Sequence, residues 1–114
     1  MTLSEKQRKF TVLVARLILW ANDKDYGLTM GEAYRTPEQA ALNAKTGSGI
    51  SNSLHRIRLA IDLNLFIGGT YQTDSEAYRP LGDYWKSLDP DCCWGGDFKH
   101  KDGNHFSLQN EGVR

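Results

Sequence analysis

The chain has 114 residues, 39% of them apolar, which suits one compact domain, residues 1–114, and is too small for a second core. Lys+Arg and Asp+Glu balance at 14 each, so the chain carries no electrostatic footprint for nucleic acid or for an anionic membrane. Any partner has to be recognised by local chemistry.

The first element is an amphipathic helix. In "FTVLVARLILWA" the residues Phe10, Leu13, Val14, Leu17, Ile18 and Ala21 recur at helical spacing, while Glu5, Lys6, Arg8, Lys9 and Arg16 fall mostly on other faces. Arg16 interrupts the apolar run and no small-residue cleavage site follows, so the segment reads as a core-covering helix rather than a signal peptide. It is also too short to span a bilayer, and no membrane insertion is expected.

After the "NDKDYG" break, "LTMGEAY" alternates roughly and predicts a strand ending at Tyr34 and Arg35. A helix is then expected in "TPEQAALNAKTG", with Thr36 as N-cap, Pro37 at the first position, Gln39 completing a capping box and Gly47 as the stop. In "RLAIDLNLF", Leu59, Ile61, Leu63 and Leu65 share one face of a strand, and Ala60, Asp62 and Asn64 share the other. "GGT" closes that strand. Thr73 and Glu76 suggest a second capping box ahead of Tyr78, Leu81, Trp85 and Leu88, and Pro80 places the helix start near Arg79. The tail ends in a strand that sets His105 and Ser107 on one face, Phe106 and Leu108 on the other.

Two strands therefore carry chemistry on their polar faces. His55 lies just before the first, Asp62 within it, and His105 opens the second. An Asp alternating with leucines is disfavoured unless something compensates its charge. Two His and one Asp satisfy a catalytic zinc, which takes three protein ligands and leaves one position open. Asp102, three residues before His105, is a carboxylate close to but not on such a metal, where a general base is needed. Taken singly, each of these pairs suits a surface or capping arrangement better.

The cysteines, Cys92 and Cys93, are adjacent and read as free thiols because a vicinal disulfide has poor geometry. A thiol site or a structural zinc built from them with His100 is the competing reading; no second Cys pair supports it. Trp94, Trp85 and Tyr34 are candidates to line a groove, although their spacing also suits a core.

"SLHRIRLAID" resembles the S-x-H-x6-D signature of the zinc peptidases that include D-Ala-D-Ala carboxypeptidases, the vancomycin-resistance D-Ala-D-Ala dipeptidases and phage L-alanyl-D-glutamate endolysins. "DGNH" resembles their acid-x-x-His motif and "AYRT" their arginine segment; together the likeness runs from about residue 28 to 108. It implies an α+β domain sharing the hedgehog-type fold, a small antiparallel sheet with helices on one face and a zinc groove on the other. It also implies Zn2+ on His55, Asp62 and His105, Asp102 as catalytic base, and Arg35 as a catalytic and substrate-binding group. Ser53 would stand at the substrate side and support the His55 loop through a hydrogen bond. "WGGDFK", the small size and the lack of a secretion signal look most like the endolysin branch. The implied substrate is the L-Ala–D-Glu bond of bacterial peptidoglycan stem peptides, cut by a monomer held in the host cytoplasm until it is released to the cell wall. Cutting at the D-Ala-D-Ala end is the second enzyme reading, and a non-catalytic, zinc-stabilised cell-wall binding domain the third. The chain departs from many relatives at Arg58, where they have glycine, so the turn after His55 is expected to differ. Arg56 and Arg58 either face the anionic peptide or form a solvated edge.

Overall fold

A computed structural model describes residues 1–47 and 53–114. The first helix, α1 (Leu3–Asp23), begins at a reciprocal capping box between Thr2 and Glu5 and buries Phe10, Leu13, Val14, Leu17 and Ala21. The apolar stripe read from the sequence is thus the face that meets the sheet. No described helix is long and apolar enough to cross a membrane.

Strand β1 spans Tyr26–Met30, earlier than the sequence suggests, and does not reach Tyr34 or Arg35. At Gly31 the chain leaves the ladder but stays tied to the neighbouring strand: Gly31 N–H donates to the Asp62 carbonyl at 2.8 Å, and Asp62 N–H donates to the Glu32 carbonyl at 2.8 Å. The alternation in this segment hid the departure.

Helix α2 (Pro37–Thr46) starts at Thr36, whose hydroxyl accepts from Gln39 N–H at 3.0 Å, and stops at Gly47 in the left-handed conformation, φ 82°. The expected capping box is only half made, because the Gln39 amide donates instead to Asn43 Oδ1 at 2.6 Å.

The long strand β2 (Ala60–Ile67) is the centre of the sheet and turns through Gly68 and Gly69, both at positive φ, into the short β3 (Thr70–Tyr71). A 3-10 turn at Ser75–Tyr78 leads into α3 (Arg79–Leu88). The cap of that turn is Asp74, not Thr73: its side chain accepts from Glu76 N–H at 3.0 Å. Pro80 lies in the first turn of α3, where its missing N–H costs nothing. Strand β4 (Cys92–Trp94), unmarked by any alternation, precedes β5 (His105–Leu108).

All pairings are antiparallel, and the strand order is β1-β2-β5-β4 with β3 added to β2. Leu59, Ile61, Leu63 and Leu65 point with Phe106 into a core closed by α1 and α3. Trp85 packs edge-on against Phe10 and Phe106, its indole N–H shared between the carbonyls of Cys93 and Ser107 at 3.0 and 3.1 Å. Trp85 and Trp94 are both fully buried, so neither lines a groove. The fold is α+β, an antiparallel sheet with helices on one face.

Trp94 is wedged between two glycines. A Cβ added at Gly82 or at Gly96 would lie 2.2 Å from an indole carbon, so the ring cannot retreat from either side. Gly82→Ala is expected to destabilise the fold by about 1–3 kcal/mol, the usual cost of overpacking. Urea unfolding checks this; a midpoint equal to that of the wild type would contradict it.

Candidate metal centre

The face of the sheet opposite the helices carries the polar cluster. Asp62 on β2 stands directly across from His105 on β5. Leu63 N–H donates to the Asn104 carbonyl at 2.9 Å, which makes Asp62 and His105 a non-hydrogen-bonded pair, the kind whose side chains lie closest. His55 arrives from a 3-10 turn, Leu54–Ile57, and not from a strand. Ser53 caps that turn with its hydroxyl accepting from His55 N–H at 3.3 Å, and Leu54 anchors it in the core. Arg58 ends it in the left-handed conformation at φ 57°, the region where glycine is most at ease.

His55 Nε2 lies 3.3 Å and His105 Nδ1 3.8 Å from the same Asp62 oxygen, Oδ1. One ligand atom from each of the three residues falls within 4.8 Å of the others. Asp62 Oδ1 is buried and has no hydrogen-bond partner. Burial alone would raise the Asp62 carboxyl, but the imidazoles of His105 and His55 facing it outweigh that and hold it at about 2.

This donor set fits zinc. Ligands at about 2.0–2.1 Å in a tetrahedron stand about 3.3–3.4 Å apart, and the two distances to Asp62 Oδ1, 3.3 and 3.8 Å, lie near that edge. An orphaned carboxylate oxygen facing two imidazole nitrogens is what a cation between them would satisfy.

Asp102 sits at the edge of the cluster, its carboxylate 4.0 Å from His105 Nδ1 and its side chain 55% exposed. Burial of its inner side pushes its carboxyl above the ordinary range; the pull of His105 is the next influence, and the Asp62 charge adds to the rise. The backbone fixes this position tightly: Asp102 N–H donates to the Gly95 carbonyl at 2.9 Å and His105 N–H to the Asp102 carbonyl at 3.0 Å. A Cβ at Gly95 would lie 2.0 Å from that Asp102 carbonyl oxygen, so only glycine allows the approach. Gly103 N–H is held by the Ser75 hydroxyl at 2.9 Å. Gly95 and Ser75 were not singled out from the sequence, since neither carries chemistry of its own.

Arg35 lies beside the cluster with its side chain 14% exposed, paired with Glu32. Its N–H donates to the His55 carbonyl at 3.0 Å, which docks the arginine segment onto the His55 turn. Glu32 was missed in the sequence, although its position three residues before Arg35 was a readable signal. Of the neighbouring arginines, Arg58 stacks on the Tyr34 ring, 4.0 Å from its centroid, and Arg56 lines a separate cleft with Lys6, Lys9 and Asp91. A polar hollow of about 200 Å³ opens beside Asp102, lined by Tyr71, Gln72, Thr73, Ser75 and Lys101.

The cysteine alternative finds no support among the described residues. Cys92 is buried, Cys93 half-buried, both are free, and His100 is exposed. Neither belongs to a metal-binding group. Burial pushes the Cys92 thiol up to about 12 and raises Cys93 as well, the opposite of an activated thiolate.

Residues 46–108, more than half of the chain, match the family profile of D-alanyl-D-alanine carboxypeptidase, peptidase family M15, and the chain belongs to that family. The matched stretch contains His55, Asp62, Asp102 and His105, while Glu32 and Arg35 lie before it. Among solved structures, the fold is similar to that of the Serratia marcescens L-Ala D-Glu endopeptidase ChiX, with a TM-score of 0.74, covering 93% of this chain and 85% of that one at 19% identity. No curated protein matches the chain.

The purified protein is expected to bind about one zinc per chain. His55→Ala and His105→Ala should each abolish tight binding, since each removes a donor from the cluster. Cys92→Ser combined with Cys93→Ser should leave zinc content unchanged, and Cys92 in the folded protein should resist iodoacetamide at pH 8, where its raised pKa keeps it protonated. Metal analysis and mass spectrometry check both; full occupancy in the histidine variants would contradict the ligand set.

Proposed function

We propose that the chain is a single zinc peptidase domain, residues 1–114, that hydrolyses the L-Ala–D-Glu amide bond of bacterial peptidoglycan stem peptides. The observation that carries this reading is the convergence of His55 Nε2, His105 Nδ1 and Asp62 Oδ1 with a carboxylate, Asp102, beside the cluster but outside it. Membership of a peptidase family and a fold shared with an L-Ala D-Glu endopeptidase support it.

Zinc, when bound by His55, Asp62 and His105, would supply Lewis acidity for the scissile carbonyl and make an attacking water more acidic. Asp102 then takes the proton from that water and passes it to the leaving amine. Its position within reach of the cluster and its raised pKa, nearer to working pH than that of an ordinary Asp, suit both transfers. Arg35, held in place by Glu32, presents a planar guanidinium that can bind the substrate carbonyl or a stem-peptide carboxylate in two-pronged fashion. Ser53, buried beneath His55, keeps the turn in the conformation that aims Nε2 at the cluster. The hollow beside Asp102, bordered by the loop after β3, is where the stem peptide would be read.

The family description favours a second reading, cleavage at the D-Ala-D-Ala end. A zinc-stabilised wall-binding domain without catalysis is the third, and the carboxylate of Asp102 at the edge of the cluster speaks against it. The endolysin role, action as a monomer and release from the host cytoplasm to the wall follow from the sequence likeness and belong to the same proposal.

Digestion of purified peptidoglycan with zinc-loaded protein, followed by mass spectrometry of the new termini, separates the three. New N-terminal D-Glu supports the endopeptidase, released D-Ala the carboxypeptidase, and no product the binding domain. In the same assay Asp102→Asn should keep its zinc and lose roughly two to four orders of magnitude in turnover, the range of a positioned general base. Asp62→Asn should lose zinc affinity, because a neutral amide oxygen is the poorer ligand. An Asp102→Asn protein with near-normal turnover, or one that has lost its metal, would overturn these assignments.

A further inference from the structure

Behind His55, away from Asp62, lies the carboxylate of Glu32. Its Oε1 is 3.6 Å from His55 Nδ1 and in ion-pair contact with Arg35 Nη2. His55 Nδ1 is buried and has no hydrogen-bond partner, and Glu32 Oε1 is buried against it within its ion pair to Arg35. The backbones hold them face to face: Asp62 N–H donates to the Glu32 carbonyl at 2.8 Å, and Arg35 N–H to the His55 carbonyl at 3.0 Å. Glu32 is thus the acceptor that the structure places before a proton on the partnerless His55 Nδ1.

We propose that Glu32 is a positioning residue that fixes the tautomer of His55 and, through the same oxygen, the guanidinium of Arg35. A neutral imidazole has one N–H and one lone pair. With the proton on Nε2, His55 would donate to Asp62 Oδ1 and the cluster would close on itself as a histidine–aspartate pair, leaving no lone pair for a metal. With the proton on Nδ1, the donor meets Glu32 and the Nε2 lone pair faces Asp62 Oδ1. Two lone pairs converging at 3.3 Å repel each other unless a cation lies between them. Glu32 thus favours the arrangement that demands a metal over the one that excludes it, as carboxylates behind metal-binding histidines do. Arg35 offsets the charge of Glu32, so the carboxylate gives direction to His55 without adding net negative charge beside Asp62 and Asp102. One side chain thereby links the metal cluster to the proposed substrate-binding arginine.

The inference rests on the reading of His55 as a zinc ligand, and its test uses two readouts that do not involve turnover. Zinc affinity is measured by competition with a chromophoric chelator for the wild type, Glu32→Gln and Glu32→Ala. The His55 tautomer is read by long-range 1H–15N NMR on the metal-free proteins at a pH where the imidazole is neutral. The wild type should populate the Nδ1–H form more than either variant does. Glu32→Ala should move His55 to the Nε2–H form and weaken zinc binding by about 10–100-fold. Glu32→Gln, close in shape and still offering an oxygen, should fold like the wild type and fall between the two. An unchanged tautomer in both variants, or zinc affinities within about twofold of the wild type, would overturn the role of Glu32. Failure of the peptidase reading looks different: the wild type would cut no peptidoglycan, while the differences in zinc affinity and tautomer would remain.

Discussion

Asp62 is the residue around which the molecule is organised. A carboxylate in the middle of a central strand, flanked in sequence by Ile61 and Leu63, carries a desolvation cost that the strand's apolar contacts cannot repay. Everything close to it answers that cost. Its backbone is pinned on one side by Gly31 and Glu32 and its side chain stands across the ladder from His105, while His55 approaches from the turn before the strand. The result is a carboxyl held at about 2, ionised at any pH at which the protein is expected to work. A permanently charged oxygen without a hydrogen-bond partner, facing two imidazoles, is stable only as part of a cation site or as part of a protonated histidine pair. The first of these is the arrangement on which the proposed chemistry rests.

The two faces of β2 divide the labour. Residues at odd positions from Leu59 to Leu65 are almost fully removed from water and hold α1 and α3 against the sheet. At roughly 1.5–3 kcal/mol for each fully buried aliphatic side chain, this face stabilises the fold and can tolerate one ionised residue on the other face. Because side chains alternate strictly, a shift of one residue in the pairing of β2 with β5 would place Asp62 in the core and Leu63 beside the two histidines. The core and the site therefore specify the same register. The indole of Trp85, bonded to the carbonyls of both Cys93 and Ser107, fastens β4 to β5 and so fixes the strand that presents His105.

Much of this was legible in the sequence because it follows from short-range rules. The stripe of α1, the cap at Thr36, the alternation of β2 and the start of α3 near Arg79 depend on residues three or four positions apart or on a period of two. The features that escaped are set by contacts distant in sequence. Strand β4 is three residues long and exists because β5 is beside it. β1 ends where the return bond slips by one residue, Asp62 N–H donating to the Glu32 carbonyl rather than to that of Gly31 opposite it, a pairing between distant segments that no local pattern encodes. For Trp85 and Trp94 the spacing left a groove open while favouring the core, and the core is where they lie. Glu32 lies inside an alternating run that gives it no distinction; only the fold brings it behind His55. In the site, the residue types and their order were readable, while the backbone that aims them, at Gly95, Gly103 and Ser75, was not.

Arg58 shows how a departure from a family pattern can be absorbed. The turn that carries His55 has to end in the left-handed region, where glycine is at ease and a residue with a Cβ costs about 1–2 kcal/mol. Arg58 accepts that conformation and lays its guanidinium on the Tyr34 ring at 4.0 Å, an exposed cation–π contact of about 0.5–1 kcal/mol that offsets part of the cost. The position of the contact matters more than its size. Tyr34 precedes Arg35 and follows Glu32 by two residues, so the stack adds a clasp at the exposed edge, parallel to the buried bond from Arg35 N–H to the His55 carbonyl. Where a glycine would relax the turn and leave this edge of the two segments without the stack, this chain spends conformational strain to couple the His55 turn to the segment bearing Glu32 and Arg35. The substitution thus acts on the same alignment of metal ligand and arginine on which the proposed chemistry depends.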